Sequence, residues 1–327
     1  LTKKTQHKLY VLTNLPLAKR TRQWLEQHSL PGFRGVPLFK VFHFLYQEAK
    51  RNDLNMRASA MTYHFFLALF PSLIFLFTLT AYLPKEWDFY NTLEKALQSV
   101  LPSGAKDYLI HDIMSNLRPK AKSSFLSIGF VLAVYFGSEG ILAMMQGFDK
   151  TYKSSFRKRN WLEKQITAIL LTFALGILMI FSVLSIIFGE RILRWVLDFI
   201  EMSSFTKVSI KGLNYLITFL LFYSVISLVY RYGPAIQKPM KGISPGSLFA
   251  TFTSIVSSFL FSVFINEFGT YHKIYGAISA LIITLVWLRL NTLLLILGFE
   301  LNAAIVVNRD LMHESEIQKR QLTVEDV

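Results

Sequence analysis

The sequence has no cysteine in its 327 residues. Disulfides, thiolate-bound metals and thiol nucleophiles are therefore excluded. Charge is scarce too. Asp, Glu, Lys and Arg make up 17% of the chain, against about 25% in a typical soluble domain. No phosphate-binding loop and no His-Glu-x-x-His zinc motif appear, and no serine-hydrolase elbow is expected. His111 and His272 stand isolated and form no ligand cluster. A nuclease needs grouped carboxylates for metal ions, or a paired general acid and base. The acids here are scattered, so a ribonuclease is disfavoured and neither cofactor nor metal is called for. The first 56 residues hold no uncharged apolar stretch long enough for a signal peptide.

What is abundant is apolar side chain, 52% of the residues, gathered in long blocks. A bilayer core about 30 Å thick needs ~20 apolar helical residues. Six segments qualify: 58–83, 123–148, 166–189, 213–230, 247–265 and 275–307. The expected fold class is therefore all-α, a polytopic integral membrane bundle of six transmembrane helices. Residues 58–307 form the membrane domain, 1–57 a basic segment before it and 308–327 a tail. With both ends inside, the inner segments carry 23 Lys and Arg and the outer ones 11, while the acids divide almost evenly. That asymmetry predicts an N-in, C-in topology. It also accounts for much of the +14 net charge without nucleic acid.

Outside the spans, residues 37–52 read as an amphipathic helix, with Leu38, Val41, Phe42 and Leu45 at helical spacing. It either lies in the inner membrane interface or packs on the bundle. A short helix is expected over 16–28. The first outer loop, 84–122, suggests two amphipathic helices, one carrying Leu93, Leu97, Val100 and Leu101, the other Ile110, Ile113, Met114 and Leu117. The tail after Asn308 is polar, acidic on balance and expected to be partly flexible.

Several segments resemble a known family. The run from Arg57 to Pro71 (RASAMTYHFFLALFP) resembles the first-span signature of the YihY/BrkB family of bacterial inner-membrane proteins. Tyr230-Arg-Tyr-Gly-Pro234 is similar to its motif after the fourth span, and Gly246 after Ser244-Pro245 fits as well. Tyr275-Gly-Ala-Ile-Ser-Ala280, Leu285 to Asn291 (LVWLRLN) and Gly298 to Ala303 (GFELNA) resemble its last-span signature. The resemblance covers about residues 40–307 and implies a six-span protein of the bacterial inner membrane. Members have been called virulence-associated factors, and some once carried a ribonuclease label. Arg289 departs from the uncharged residue expected there.

Charge inside a span is the most informative local signal, because it costs roughly 2.5–3.5 kcal/mol or more at the bilayer centre. From a rise of ~1.5 Å per residue, Glu139 lies ~24 Å and Arg289 ~21 Å from the outer end of its span, and His64 ~10 Å from the inner end of its own. The three share a depth, so they are candidates for one substrate and coupling site. A buried Glu139–Arg289 ion pair that only fixes helix register is an equal alternative. His64 alone reads more readily as a hydrogen-bonded core residue. Glu300, ~37 Å along the last span, shares the inner level with Arg57 and Arg231. These three form a structural ion cluster or an inner gate. Pro71, Gly137, Gly140 and Gly276 are the places where a helix could break around a substrate, although packing is the plainer role of the glycines.

Two functions follow. One is a secondary transporter or flippase-like protein for an anionic or amphiphilic substrate, lipids included. Arg289 would hold the anion, and Glu139 or His64 would couple protons. The other is a membrane scaffold with no translocated substrate. Expected partners are membrane lipids, anionic ones above all. A homo-oligomer is left open, and no nucleic acid is expected.

Overall fold

A computed structural model describes residues 16–51, 54–80, 82–84, 89–91, 93–94, 123–149, 155–197, 204–237, 244–267 and 277–325. Eight helices carry the described chain: α1 (Pro16–Gln27), α2 (Leu38–Arg51), α3 (Leu54–Thr80), α4 (Ser123–Phe148), α5 (Trp161–Leu197), α6 (Ser204–Tyr232), α7 (Pro245–Glu267) and α8 (Ala277–Glu325). Backbone polar groups in hydrocarbon must be satisfied within their own segment, so long apolar blocks fold as helices. Five of these helices are long and apolar enough to cross a membrane, namely α3, α4, α5, α7 and α8. In α6 (Ser204–Tyr232) the described apolar stretch is Leu216–Tyr232.

The long helices close a ring in the order α3, α4, α5, α6, α7, α8 and back to α3. The α3–α4 contact is the most extensive, and those flanking α6 are the least. Both α4 and α8 run antiparallel to α3. Gly129 faces Phe75 and Gly140 faces Phe65, while Thr292 meets Thr62 and Glu300 meets Arg57. Helices α4 and α8 are therefore parallel to each other.

Most of the core lies at the end of the ring that carries Arg57 and Glu300. Phe148 stacks on Phe299 at 4.2 Å between ring centroids. Tyr230 and Phe156 meet Phe299 edge-on. Met61, Met144 and Met145 fill the space around them. A second, smaller cluster at the other end joins Leu73, Leu76 and Phe77 of α3 to Phe89 and Leu93.

The segments outside the long helices differ from the sequence expectation in two ways. Helix α2 packs on the bundle, with Leu38, Val41 and Phe44 buried and Phe42 exposed. Its buried arc is thus rotated from the predicted one toward Phe44 and Glu48, because α8 lies along that side. The tail is not a loose segment. Helix α8 runs unbroken for 49 residues to Glu325, and its turn from Ala303 to Val307 is fully buried. The predicted outer-loop helices around Val100 and Ile110 lie outside the described residues.

Helix α7 shows how local sequence sets an element. Pro245 occupies its first turn, where the missing N–H costs nothing. Ser244 precedes it, and its Oγ accepts the Ser247 N–H at 3.2 Å, as an N-cap serine should. Asn302 of α8 holds this cap from the side. Its Oδ1 accepts the Gly246 N–H at 2.8 Å and its Nδ2 donates to Ser244 Oγ at 2.6 Å. Asn302→Leu leaves two buried polar groups without their partner and is expected to cost about 1–3 kcal/mol. Unfolding in mixed detergent micelles measures it, and an unchanged midpoint would remove the cap role.

Candidate functional site

The end of the ring that carries Arg57 is locked by polar contacts as well as by its aromatic core. Arg57 Nη1 of α3 donates to Glu300 Oε1 of α8 at 2.9 Å, with the Glu300 side chain 2% and the Arg57 side chain 19% exposed. Further along the same two helices, the Thr62 and Thr292 hydroxyls lie 2.9 Å apart. Tyr230 of α6 donates its hydroxyl to the Leu295 carbonyl of α8.

The loops at this end are tied in as well. Arg159 donates to the Gly233 carbonyl at 2.6 Å and the Tyr232 carbonyl at 2.9 Å. These carbonyls end α6, where helix geometry leaves acceptors free and the dipole favours a cation. Burial, and secondarily Arg157, lowers the Arg159 pKa from its ordinary value. Two backbone bonds, Arg157 to Ala235 and Gln237 to Ser155, each 2.9 Å, pair this loop with the next. Ser155 Oγ donates to Asp310 of α8 at 2.7 Å.

Of the predicted inner cluster, the structure joins Arg57 with Glu300 and leaves Arg231 out. Arg231 is exposed, and its guanidinium lies 5.8 Å from the ring centroid of its neighbour Tyr232.

Glu139, Arg289 and His64 do not form one buried site. Glu139 is partly buried on α4, Arg289 is exposed on α8, and no ion pair joins them. The register-fixing pair within one chain is therefore corrected too. His64 is partly buried and stands edge-on to Tyr63 at 5.4 Å. The shared height is nevertheless real. Gly140, next to Glu139, faces Phe65. Thr292 contacts Thr62 and Ala58, so Arg289, about one turn further along antiparallel α8, comes level with Phe65.

The predicted helix breaks are also corrected. Helix α3 continues through Pro71, and α4 continues through Gly137 and Gly140. These glycines serve close packing. A Cβ on Gly137 would come 2.9 Å from the Thr172 methyl, and one on Gly140 2.8 Å from the Phe65 ring. Gly276 lies outside the described residues.

A lateral groove of about 460 Å³ opens between α7 and α8. Its walls are mostly apolar, with Phe252, Val256, Leu260, Phe261 and Phe264 from α7 and Leu290 from α8. Trp287 Nε1 of α8 donates to Ser258 of α7 at 3.1 Å and fixes the relative height of the two helices. Arg289 lies next to Leu290 at the height of this groove.

Sequence reasoning missed the roles of Asn302, Tyr230 and Arg159. The first two stand within motifs that drew attention without suggesting a contact. It also passed over Gly242-Ile-Ser-Pro-Gly246, which does have the Gly-x-Ser-x-Gly spacing. That spacing makes a nucleophile elbow only between a strand and a helix. Here Ser244 is buried, no strand precedes it among the described residues, and Ser247 and Asn302 both donate to its hydroxyl oxygen. It is a helix cap.

The fold and this arrangement define a multi-pass helical membrane protein. The chain belongs to the family described as Virulence factor BrkB, which it matches over residues 45–322. It is 29% identical to the ribonuclease-like protein YfkH of Bacillus subtilis, across 83% of this chain and 97% of that one. It is 26% identical to a UPF0761 membrane protein of Tolumonas auensis, across 80% and 84% of the two chains. A UPF0761 membrane protein of Haemophilus influenzae (strain 86-028NP) is 24% identical, across 84% and 94%. No solved structure matches the chain.

Proposed function

We propose that the chain is a six-span, N-in and C-in transporter or flippase-like protein for an anionic or amphiphilic substrate, lipids included. In this reading α6 is the remaining span, crossing with its Leu216–Tyr232 stretch. The Arg57–Glu300 end faces the cytoplasm, since its loops carry the larger share of Lys and Arg. The observation that carries the proposal is the lateral groove with an exposed guanidinium at its height. An apolar wall suits an acyl chain, and Arg289 suits an anionic headgroup. The locked inner end is then the closed gate of an outward-facing state, with Arg57–Glu300 as its latch.

The test is flipping of a fluorescent anionic phospholipid in proteoliposomes. Wild type is expected to move the lipid, and Arg289→Ala to slow it by about tenfold or more, the size of losing one charge-assisted contact. Equal rates in the two, both above empty liposomes, would remove Arg289 from the substrate site. One observation favours a second reading, a membrane scaffold: the Arg57–Glu300 end is densely packed, and its groove opens sideways rather than through the ring. Wild-type rates equal to empty liposomes for every lipid tried would move the assignment there.

A further inference from the structure

Glu139 and Arg289 are opposite charges in membrane-crossing helices, at one height, with no ion pair among the described residues. Such charges are expensive in hydrocarbon and call for a counter-charge or water. Each also ends an exposed apolar stripe on its helix. On α4, exposed Ile128, Leu132 and Tyr135 lead to Glu139 at successive steps of four, three and four residues. On α8, exposed Ile278, Ile282 and Leu285 lead to Arg289 at the same steps. The two helices are parallel, so both stripes descend the bilayer in the same direction and reach their charge at the same depth.

We propose that two copies of this chain meet in the membrane with α4 of one against α8 of the next, pairing Glu139 of one copy with Arg289 of its neighbour. Copies inserted in one membrane share their orientation. The stripes then align along their length with the charges in register. Each contact joins unlike faces, so it either repeats head to tail around a ring or forms twice about a two-fold axis. Packing of the two apolar stripes adds little discrimination of its own, because lipid tails are equally apolar. The charge pair is what makes this contact specific. The proposal goes beyond transport and does not depend on it, although a neighbour's carboxylate on Arg289 would have to yield before an anionic headgroup could bind there.

The absence of cysteine makes the test clean. A tagged Tyr135→Cys chain is co-expressed with an untagged Leu285→Cys chain, each cysteine one turn from a charge that stays in place, and the membranes are treated with a short bis-maleimide. A covalent dimer of the mixed pair is expected at ten or more times the yield of either variant alone. Native mass spectrometry of wild type from mild detergent is expected to show an oligomer. Glu139→Arg or Arg289→Glu should each dissociate it, and both reversals in one chain should restore it. A monomeric wild type, cross-linking only between like residues, or no recovery in the double reversal would each overturn the proposal.

Discussion

Arg57→Ala is expected to destabilise the folded bundle by about 3–5 kcal/mol, because it strips the guanidinium from a carboxylate that is almost wholly buried. Glu300 lies among Phe299, Ala303 and Ala304, all fully buried, and cannot recover that interaction from bulk water. The cost comes from the buried charge left behind, so removing both charges should be far milder. Arg57→Met combined with Glu300→Gln is expected to recover most of the loss. Reversible unfolding in mixed micelles of a mild detergent and dodecyl sulfate measures all three chains. If Arg57→Ala shifts stability by no more than about 0.5 kcal/mol, the pair behaves as a solvated surface bridge and the latch assignment falls. The double variant separates latch from scaffold. In a transporter it should leave the inner gate easier to open and raise access of a membrane-impermeant thiol reagent to a cysteine placed at Met144. In a static bundle that access should not change.

Gly246→Ala should be the most damaging alanine substitution among the described glycines. Its new Cβ would land on the Gly298 carbonyl oxygen and 2.6 Å from Asn302 Oδ1. From the other side, a Cβ on Gly298 would meet Ala250 Cβ and the Tyr230 hydroxyl at 2.7 Å. These obstacles are backbone and short, tightly held side chains, so the crossing of α7 and α8 must open. Overpacking usually costs about 1–3 kcal/mol, and a rigid backbone clash belongs at or above the upper end. The variant also pushes Gly246 N–H off Asn302. The expected result is little folded protein after extraction, or a midpoint shifted by that amount or more. Gly176→Ala is the matched control. Nothing lies within 4 Å of its added Cβ, so better helix propensity should leave it neutral or up to about 1 kcal/mol more stable. Wild-type stability for Gly246→Ala would mean that α7 and α8 cross further apart than described here.

The heights of groups along the membrane normal were legible in the sequence. Counting residues at a fixed rise puts Glu300 level with Arg57, and Glu139 level with Arg289, and the helices keep those levels. Apolar blocks marked the long helices, and Leu38 with Val41 marked a helix whose apolar side is buried. Rotation about each helix axis was not legible. A membrane helix is apolar nearly all round, so hydropathy carries little angular signal. Only packing against α3 and α7 decided that Arg289 is exposed and makes no ion pair with Glu139. The short segments were equally opaque. Phe33 and Val36 sit in a Gly- and Pro-rich turn with no periodicity, yet both are buried in the main core at the Arg57–Glu300 end. That turn reaches inward because Gly32 and Gly35 take positive φ values of 88° and 78°, which reverse the chain tightly between α1 and α2. The sequence alone thus determined which segments are long and apolar enough to cross and which charges share a level along the helices, because both follow from length and composition along one axis. Which charges meet, which glycines bear on a neighbouring backbone and which loop plugs the core were decided by tertiary structure, because these depend on how separate helices turn toward one another.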